Sequence, residues 1–489
     1  DDDGYGNICD PDFDNNGNID FADLAYLKSL FFTPDKDADL DGNDRVDFAD
    51  LAILKASFFQ PPGPSYVDFS PPAISEPILK WAYGGCTSYC ESGWHSSPAV
   101  SDLDGDNKQE IIAGGHTLHA LNGEDGSIQW QFPPTGRVWA GVIVDDIDND
   151  LDFEMLMGNS SGHVIALSHT GSPIWNTTIS SAEVRSLSVF DLDNDNSAEI
   201  IAGLAIPGSQ NTWVLEHDGN TRTGWPQLDG TTASRAFGIY NSNIAVGDID
   251  KNNLGEIYAP SDVAYIAAYH ADGSEIQANT IYGIGSLWGM VPTYESAKDE
   301  LQGWSACVGP KNYLTNFASG PAVISDLDND TNLEIVVIGN TRSFCDFPES
   351  KYNGAYIFDK DRTRYNKVNY DWTTPPLDIT GPPVTEDYNI IEPNVPNPAV
   401  ADLDSDGEKE IIFSSYDGKV HAIWLDKTEH GNWPYSINQG SDGFFRLSGE
   451  PVVADLNNDG SAEVIVASWT EKGSNAVGKL HILDSDGSM

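Results

Sequence analysis

Asp102-Leu103-Asp104-Gly105-Asp106-Asn107-Lys108-Gln109-Glu110-Ile111-Ile112-Ala113-Gly114 sets three carboxylates on alternate positions of a short turn. A fourth follows on Glu110, and an apolar strand begins at once. Two like charges ~4 Å apart repel by about 4 kcal/mol at a typical surface dielectric. A hard cation with oxygen ligands relieves that repulsion, and calcium suits flexible loops of carboxylate and carbonyl oxygens.

The stretch recurs. Asp146-Ile-Asp148-Asn-Asp150 leads to Glu154, Asp191-Leu-Asp193-Asn-Asp195 to Glu199, and Asp248-Ile-Asp250-Lys-Asn252 to Glu256. Asp326-Leu-Asp328-Asn-Asp330 leads to Glu334, Asp402-Leu-Asp404-Ser-Asp406 to Glu410, and Asp455-Leu-Asn457-Asn-Asp459 to Glu463. These seven copies keep the Glu eight residues after the first Asp, while the spacers between copies vary in length. A fixed unit with variable spacers is the mark of a repeat architecture.

Each unit has one grammar. In the first, Pro98–Ser101 is a short strand entering the loop, Glu110–Gly114 a second and Leu118–Leu121 a third. The turn Asn122-Gly-Glu-Asp-Gly126 then leads to a fourth strand, Ser127–Trp130. Four short strands per unit, seven times over, predict a mainly β chain folded as a seven-bladed β-propeller over residues 78–489. The last unit ends near Lys479–Met489, where its fourth strand is due, and Ile78–Tyr83 resembles that missing strand. The expectation is that residues 78–83 complete blade seven; the rival is a chain truncated at its C-terminus.

These repeats resemble the FG-GAP and VCBS family, which includes integrin-α-type propellers. The resemblance implies calcium ligands at positions one, three, five and nine of each loop, namely the carboxylates and amides quoted above. It also implies a backbone carbonyl at position seven, which is Lys108, Asp152, Ser197, Leu254, Asn332, Glu408 and Ser461 in turn. The family often carries Asp at position nine, whereas all seven copies here carry Glu. Asn252 and Asn457 lower the charge of the fourth and seventh loops, so weaker ion binding is expected there.

Residues 1–59 hold a different loop. Asp12, Asp14, Asn16, Asn18, Asp20 and Asp23 occupy positions 1, 3, 5, 7, 9 and 12 of a loop with Gly17 at position 6. Asp39, Asp41, Asn43, Arg45, Asp47 and Asp50 repeat it 27 residues later, with Asp44 in place of the glycine. This is the EF-hand loop pattern with Asp at the last position. Each loop runs into a helical segment, 21–32 or 48–59, in which Leu24, Leu27 and Phe31, then Leu51, Leu54 and Phe58, recur at helical spacing. The pair resembles a dockerin, a small α-helical calcium-loop module that docks onto a cohesin domain. Phe21-Ala22 and Phe48-Ala49 stand where that family often carries hydroxyl residues. The alternative is that the loops only hold a small module together. Asp1–Asp10 resembles the tail of a thrombospondin type 3 calcium repeat, and the proline-rich residues 60–77 read as a semi-rigid linker.

The formal net charge is −51, from 76 acids against 25 bases. Even nine bound divalent ions leave the chain strongly acidic, which argues against nucleic acid or anionic membrane as partner. No apolar run is long enough to span a membrane. The chain begins Asp1-Asp2-Asp3 without Met, so a mature or partial form is expected. Up to nine calcium loops fit a secreted, extracellular or cell-surface location, where disulfides are allowed. Cys307–Cys345 and Cys86–Cys90 are the expected pairs, leaving Cys9 over.

The repeat grammar places calcium turns at one end of the propeller and long insertions (280–320, 341–354 and 373–397) at the other. Variable loops on a rigid scaffold are where binding residues collect. Trp288, Tyr294, Trp304, Tyr313, Phe317, Phe344, Tyr352 and Tyr388 in these insertions suit sugar stacking or a protein hot spot; the alternative is a small core inside the loops. Gly158-Asn-Ser160-Ser-Gly162 matches G-x-S-x-G but lacks the following helix that a nucleophile elbow needs. His119, His421 and His481 share one strand position, where packing is the simpler account.

The sequence thus points to a calcium-stabilised recognition or assembly protein, docked through its N-terminal module to a cohesin-like domain or another subunit, with carbohydrate a candidate ligand. A dockerin-borne polysaccharide-degrading enzyme and a subunit of an extracellular homopolymer are the alternatives. Excess chelator is expected to lower the melting temperature by many degrees, because it restores carboxylate repulsion at several loops; an unchanged calorimetric transition contradicts the metal reading.

Overall fold

A continuous apolar run in the second strand of each repeat, such as Met155-Leu-Met157 or Ile411-Ile-Phe413, decides the packing. The computed structural model describes residues 13, 19–34, 38, 40, 45–58, 77–83, 96–240, 244–302, 313–317, 320–343, 350–378, 397–415, 417–437, 446–457, 460–470 and 478–489. The chain divides into a unit within Asp1–Glu76 and a second that starts at Pro77.

The second unit is a seven-bladed β-propeller, one antiparallel sheet per acidic loop. Blade one pairs Ala99–Ser101, Glu110–Ala113, Leu118–Asn122 and Ile128–Phe132 in chain order. Its first pair runs in the register Ser101 with Glu110 and Val100 with Ile111, so the acidic loop closes the hairpin. Blade two (Ile143–Asp145, Glu154–Gly158, His163–Ser168, Pro173–Thr178) and blade six (Ala399–Ala401, Glu410–Ser414, Lys419–Ile423, Tyr435–Ser436) repeat this order. In blades three and four the first three strands form the sheet, and single bridges such as Leu215 with Thr221 and Tyr269 with Glu275 mark the fourth.

Successive residues of a strand point to opposite faces, and the second strands of blades two to six are covered on both. Met155 packs with Ile112 and Leu118 of blade one, while its neighbour Leu156 packs with Ile200 of blade three. Ile200 and Ile201, Ile257 and Tyr258, and Ile411 and Ile412 divide in the same way between the clusters before and after their blade. The core is therefore a series of layers between blades, and among the described residues the second strands of blades two to six each serve two of them, those of blades one and seven one.

A tryptophan joins each blade to the next. The indole Nε1–H of Trp130 donates to His169 O at 3.0 Å, Trp175 to His217 O at 2.8 Å and Trp225 to Ala271 O at 3.1 Å. Trp288 donates to Lys360 O, Trp372 to Leu425 O and Trp433 to Ser485 O, again in the turn after the third strand of the following blade. Trp81 makes the same bond to Gly123 O of blade one at 2.9 Å. Residues 77–83 carry no ladder pairing, so the strand expected at 78–83 is not formed; what this segment supplies is the tryptophan contact. The indole lies flat on the turn because glycine leaves room. A Cβ on Gly171 would stand 2.5 Å from Trp130, and one on Gly126 2.5 Å from Trp81.

The expected insertions resolve differently. Residues 341–343 and 350–354 belong to two long strands of blade five, Glu334–Ser343 and Ser350–Phe358, and Tyr313–Asn316 pairs with the first of them. Thr280–Tyr282 and Trp288–Met290 form 3-10 turns, and Ala297–Glu300 one helical turn. Glu300 is buried and pairs with Arg364 at 2.5 Å and Arg362 at 3.2 Å, and so pins this segment onto blade five. Trp288, Tyr294 and Phe317 are 0%, 2% and 0% exposed. Trp288 meets Tyr258 and Phe358 edge-on, and Phe317 meets Tyr356. The sugar-stacking expectation is corrected for these three: their large apolar area is spent on core between blades four and five. Trp304, Phe344 and Tyr388, the side chains of Tyr313 and Tyr352, and all five cysteines lie outside what the structure describes.

In the first unit, helices Phe21–Ser29 and Phe48–Ala56 start at Asp20 and Asp47, each with a reciprocal capping box. Leu27 and Leu54 are fully buried with Ile19, Leu40 and Val46, and Leu24, Phe31, Leu51 and Phe58 pack around them. No helix among the described residues is long and apolar enough to cross a membrane.

Gly105 and Gly171 both adopt positive φ (74° and 77°), but nothing lies within 4 Å of a Cβ on Gly105. Gly105→Ala is expected to cost about 1–2 kcal/mol, the left-handed backbone penalty. Gly171→Ala should cost about 1–3 kcal/mol more, from overpacking against Trp130. Urea unfolding of the two variants measures the difference, and equal losses contradict the tryptophan–glycine contact.

Candidate functional site

The position-two side chain of each acidic loop begins the site. Leu103, Ile147, Leu192, Ile249, Leu327 and Leu403 are buried, which draws the loop onto its blade. Its amide then donates to the position-nine glutamate: Leu103 N to Glu110 Oε2 at 2.9 Å, Leu192 N to Glu199 at 2.7 Å and Leu403 N to Glu410 at 2.6 Å. Ile147 to Glu154, Ile249 to Glu256, Leu327 to Glu334 and Leu456 to Glu463 complete the set. All seven glutamates are buried.

The position-one aspartate organises the turn. Asp102 accepts from the amides of Asp106 (3.1 Å) and Asn107 (2.9 Å), and Asp146, Asp191, Asp248, Asp326 and Asp402 do the same. Position five accepts from the position-seven amide, as in Asp106 with Lys108 and Asp150 with Asp152. Positions four and six are left-handed, for example Gly105 and Asn107, Asn194 and Asn196, or Ser405 and Gly407. The Asn and Gly recurring there are a sequence signal additional to the carboxylates, since these residues enter that region at low cost.

What remains is a set of oxygens facing one another. One oxygen each from Asp102, Asp104 and Glu110 lies within 4.8 Å of the others. The same holds for Asp146, Asp148 and Glu154, for Asp191, Asp193 and Glu199, and for Asp326, Asp328 and Glu334. Glu410 Oε1, in blade six, is buried without a hydrogen-bond partner. An all-oxygen donor set with an orphaned anionic atom fits a hard divalent cation. Blade four gathers Asp250, Glu256 and His270, with the imidazole 3.4 Å from the carboxylate, a mixed set less suited to a hard ion. Asp459 lies outside the described residues.

Burial, reinforced by the loop aspartates, pushes Glu154 and Glu334 up to about 7 and Glu410 up to about 8. Burial also takes Glu199 up to about 8 and raises Glu110 and Glu256. The Lys367 ammonium holds Asp330 down at about 2.

Two basic residues enter the loops and were not singled out from sequence. Arg222 reaches Asp193 (2.8 Å) and Glu199 (3.1 Å), and Lys367 reaches Asp330 (2.7 Å) and Asp328 (3.5 Å). They stand 29 and 37 residues beyond the loop positions that they bond, on the fourth-strand segment of their blades.

In the first unit, Asp12, Asp14, Asn16, Asn18, Asp39, Asp41 and Asn43 lie outside the described residues. Asp23 and Asp50 are fully buried. Asp23 accepts from Asp20 N, and Asp50 from Leu40 N and Asp47 N. The Arg45 guanidinium lies over the Phe32 ring at 5.1 Å, which leaves only its carbonyl for a loop ion.

The G-x-S-x-G stretch is the hairpin between Glu154–Gly158 and His163–Ser168, with Ser160 Oγ accepting from Arg137 N. His119, His421 and His481 are buried in the third strands. Both ring nitrogens of His421 face carboxylates, Glu429 and Asp417, which raise it to about 9 against the opposing effect of burial.

The profile of the FG-GAP-like repeat family matches residues 402–466, from the loop of blade six into the second strand of blade seven. Among curated proteins there is no match. Solved structures similar to this chain include the computationally designed Ika8 protein (11% identity, TM-score 0.41, 81% of this chain and 86% of that one). BBS1N in complex with ARL6DN, soaked with lead, is similar at 10% identity (TM-score 0.42, 79% and 94%). BamB from Moraxella catarrhalis is similar at 13% (TM-score 0.35, 78% and 99%). The chain is a seven-bladed β-propeller carrying an FG-GAP-like repeat over residues 402–466, a combination that suggests a binding or recognition scaffold.

In metal-free protein the raised glutamates hold protons in the folded state that the unfolded chain releases near its ordinary value of 4.5. Folded protein therefore binds more protons between about 4.5 and 8, and stability falls as pH rises through that window. Melting curves in chelator from pH 5 to 8 should slope downward, and calcium should flatten the slope. A rising chelator curve contradicts the assignment.

Proposed function

We propose that this protein is a secreted, calcium-stabilised recognition scaffold. Calcium would be held by loop carboxylates such as Asp146, Asp148 and Glu154, with the carbonyl of Asp152 as a further oxygen, and would neutralise the charge of the turn. The ion's role is to fix the hairpin between the first two strands of a blade rather than to perform chemistry.

The observation that carries the reading is the contrast between the two ends of the propeller. One end repeats a single loop seven times. The other differs from blade to blade and presents preformed side chains. Trp139, half-buried in the crossover from blade one to two, carries the guanidinium groups of Arg137 (4.6 Å) and Arg185 (4.1 Å) over its ring. Glu183 accepts from both arginines, and Arg185 also lies over Tyr240. Rigid aromatic and arginine groups of this kind are the usual anchors of recognition.

The N-terminal unit is read as a docking module for a protein partner, either a cohesin-like domain or another subunit. Its boundaries are taken as 1–59, with a linker at 60–77 ahead of the propeller. Phe21 and Phe48, at equivalent positions of the two repeats, are each 69% exposed and meet Phe58 and Phe31 edge-on. An apolar pair replaces the hydroxyl pair of the dockerin family, so a more apolar partner surface is expected.

Purified protein incubated with a panel of plant and algal polysaccharides tests the scaffold reading. Retention on at least one, abolished by Trp139→Ala without loss of melting temperature, is the expected result. New reducing ends or unsaturated products overturn it in favour of an enzyme. For the module, Phe21→Asp with Phe48→Asp should abolish co-elution with a cohesin domain or self-association on sizing.

A further inference from the structure

The seven loops share a backbone but not a counter-charge. In blade three, one guanidinium meets three carboxylates: Arg222 Nη2 lies 2.8 Å from Asp193 Oδ2, and Nη1 lies 3.1 Å from both Glu199 Oε1 and Glu216 Oε2. Its Nε–H donates to Ala271 O of blade four, the carbonyl that also accepts from Trp225. In blade five, Lys367 Nζ lies 2.7 Å from Asp330, 3.5 Å from Asp328 and 3.8 Å from Glu334. The Tyr365 hydroxyl donates to the same Asp328 carboxylate at 2.7 Å, and the ammonium lies over the Tyr365 ring.

Positions three and nine are among the oxygens a calcium ion would take, and in these two blades a basic side chain already sits on both. A divalent ion in the same set would stand against a full positive charge at van der Waals distance. Arginine cannot shed that charge. Among the described residues, the other loops have no lysine or arginine on positions three and nine: of its loop carboxylates Lys108 of blade one reaches only Asp106 at position five (3.4 Å), and the basic group beside Glu256 in blade four is the His270 imidazole. Gln129, also on a fourth strand, donates a neutral amide to Asp104 in blade one. Asp146, Asp148, Asp150 and Glu154 of blade two form no ion pair among the described residues.

We propose that Arg222 and Lys367 are built-in counter-cations that close blades three and five to calcium, so that the ion is taken only by loops whose fourth strand brings no basic side chain. This rests on the calcium reading of the open loops given above. The physical advantage is independence: two non-adjacent blades stay neutralised when calcium is withdrawn. Glu216 and Tyr365, which complete the two cages, are positioning residues for the cations.

Calcium bound per chain, counted by equilibrium dialysis of the full chain against calcium chloride, tests the proposal. Arg222→Gln and Lys367→Gln should each gain one ion, while Arg222→Lys and Lys367→Arg keep the wild-type count. In the wild-type background, Asp193→Asn and Asp328→Asn should leave the count unchanged, whereas Asp148→Asn loses one ion. Should a glutamine variant fail to fold, the aspartate variants decide the matter. Loss of an ion in Asp328→Asn or Asp193→Asn, or no gain in either folded glutamine variant, overturns the proposal. A wild-type count of zero refutes calcium binding at the open loops instead; a gain in Lys367→Gln would still support the counter-cation, and no gain would still overturn it.

Discussion

A buried glutamate bonded to a backbone amide seven residues earlier is the interaction on which the propeller depends. The bond fixes where the second strand of a blade begins, because Glu110 and its counterparts are the first residues of that strand. It also draws the position-two apolar residue into the layer between blades, as with Leu103 against Ile112. A carboxylate buried this way is electrostatically unbalanced, with one oxygen on an amide and the other aimed at neighbouring aspartates. Something positive must answer it, and the blades differ in what does.

Between blades the joint is made by tryptophan. A donor-only indole must find an acceptor when buried, and the turn after each third strand offers a carbonyl that the ladder does not use. The turn glycine lets the ring approach, as at Gly171 under Trp130 and Gly487 under Trp433. The contact from Trp81 to Gly123 gives blade one the same support that the other blades receive from the blade before. Blade order thus follows from a sequence of local contacts, each spanning neighbouring repeats, with the long insertion after blade four accommodated by moving Trp288 onto a 3-10 turn.

That insertion shows how elaboration is secured. Glu300 is surrounded by Arg362 and Arg364, and Arg362 also reaches Val291 O and Thr293 Oγ1. Removing one member of such a buried group would leave uncompensated charge, which is strongly destabilising. The aromatic residues of the segment follow the same logic and close a core instead of facing a ligand. Binding groups are then to be sought among side chains that stay half-exposed, such as Trp139 with its two arginines.

The number of blades, the strand order within each and the loop residues were all legible in the sequence, because each is written in a window of about thirty residues. Asp102 to Glu110 form their turn from their own amides and the first two strands, so the motif carries its structure with it. The fourth-strand tryptophans were visible too, but not their acceptors, which belong to the next repeat. Tertiary structure alone decided the fate of Trp288, Tyr294 and Phe317, since an aromatic in a long loop reads the same whether it faces water or a neighbouring blade. It alone also brought Arg222 and Lys367 into two of the loops: a cation 29 or 37 residues away enters an acidic turn only when the sheet folds its outer strand back beside it.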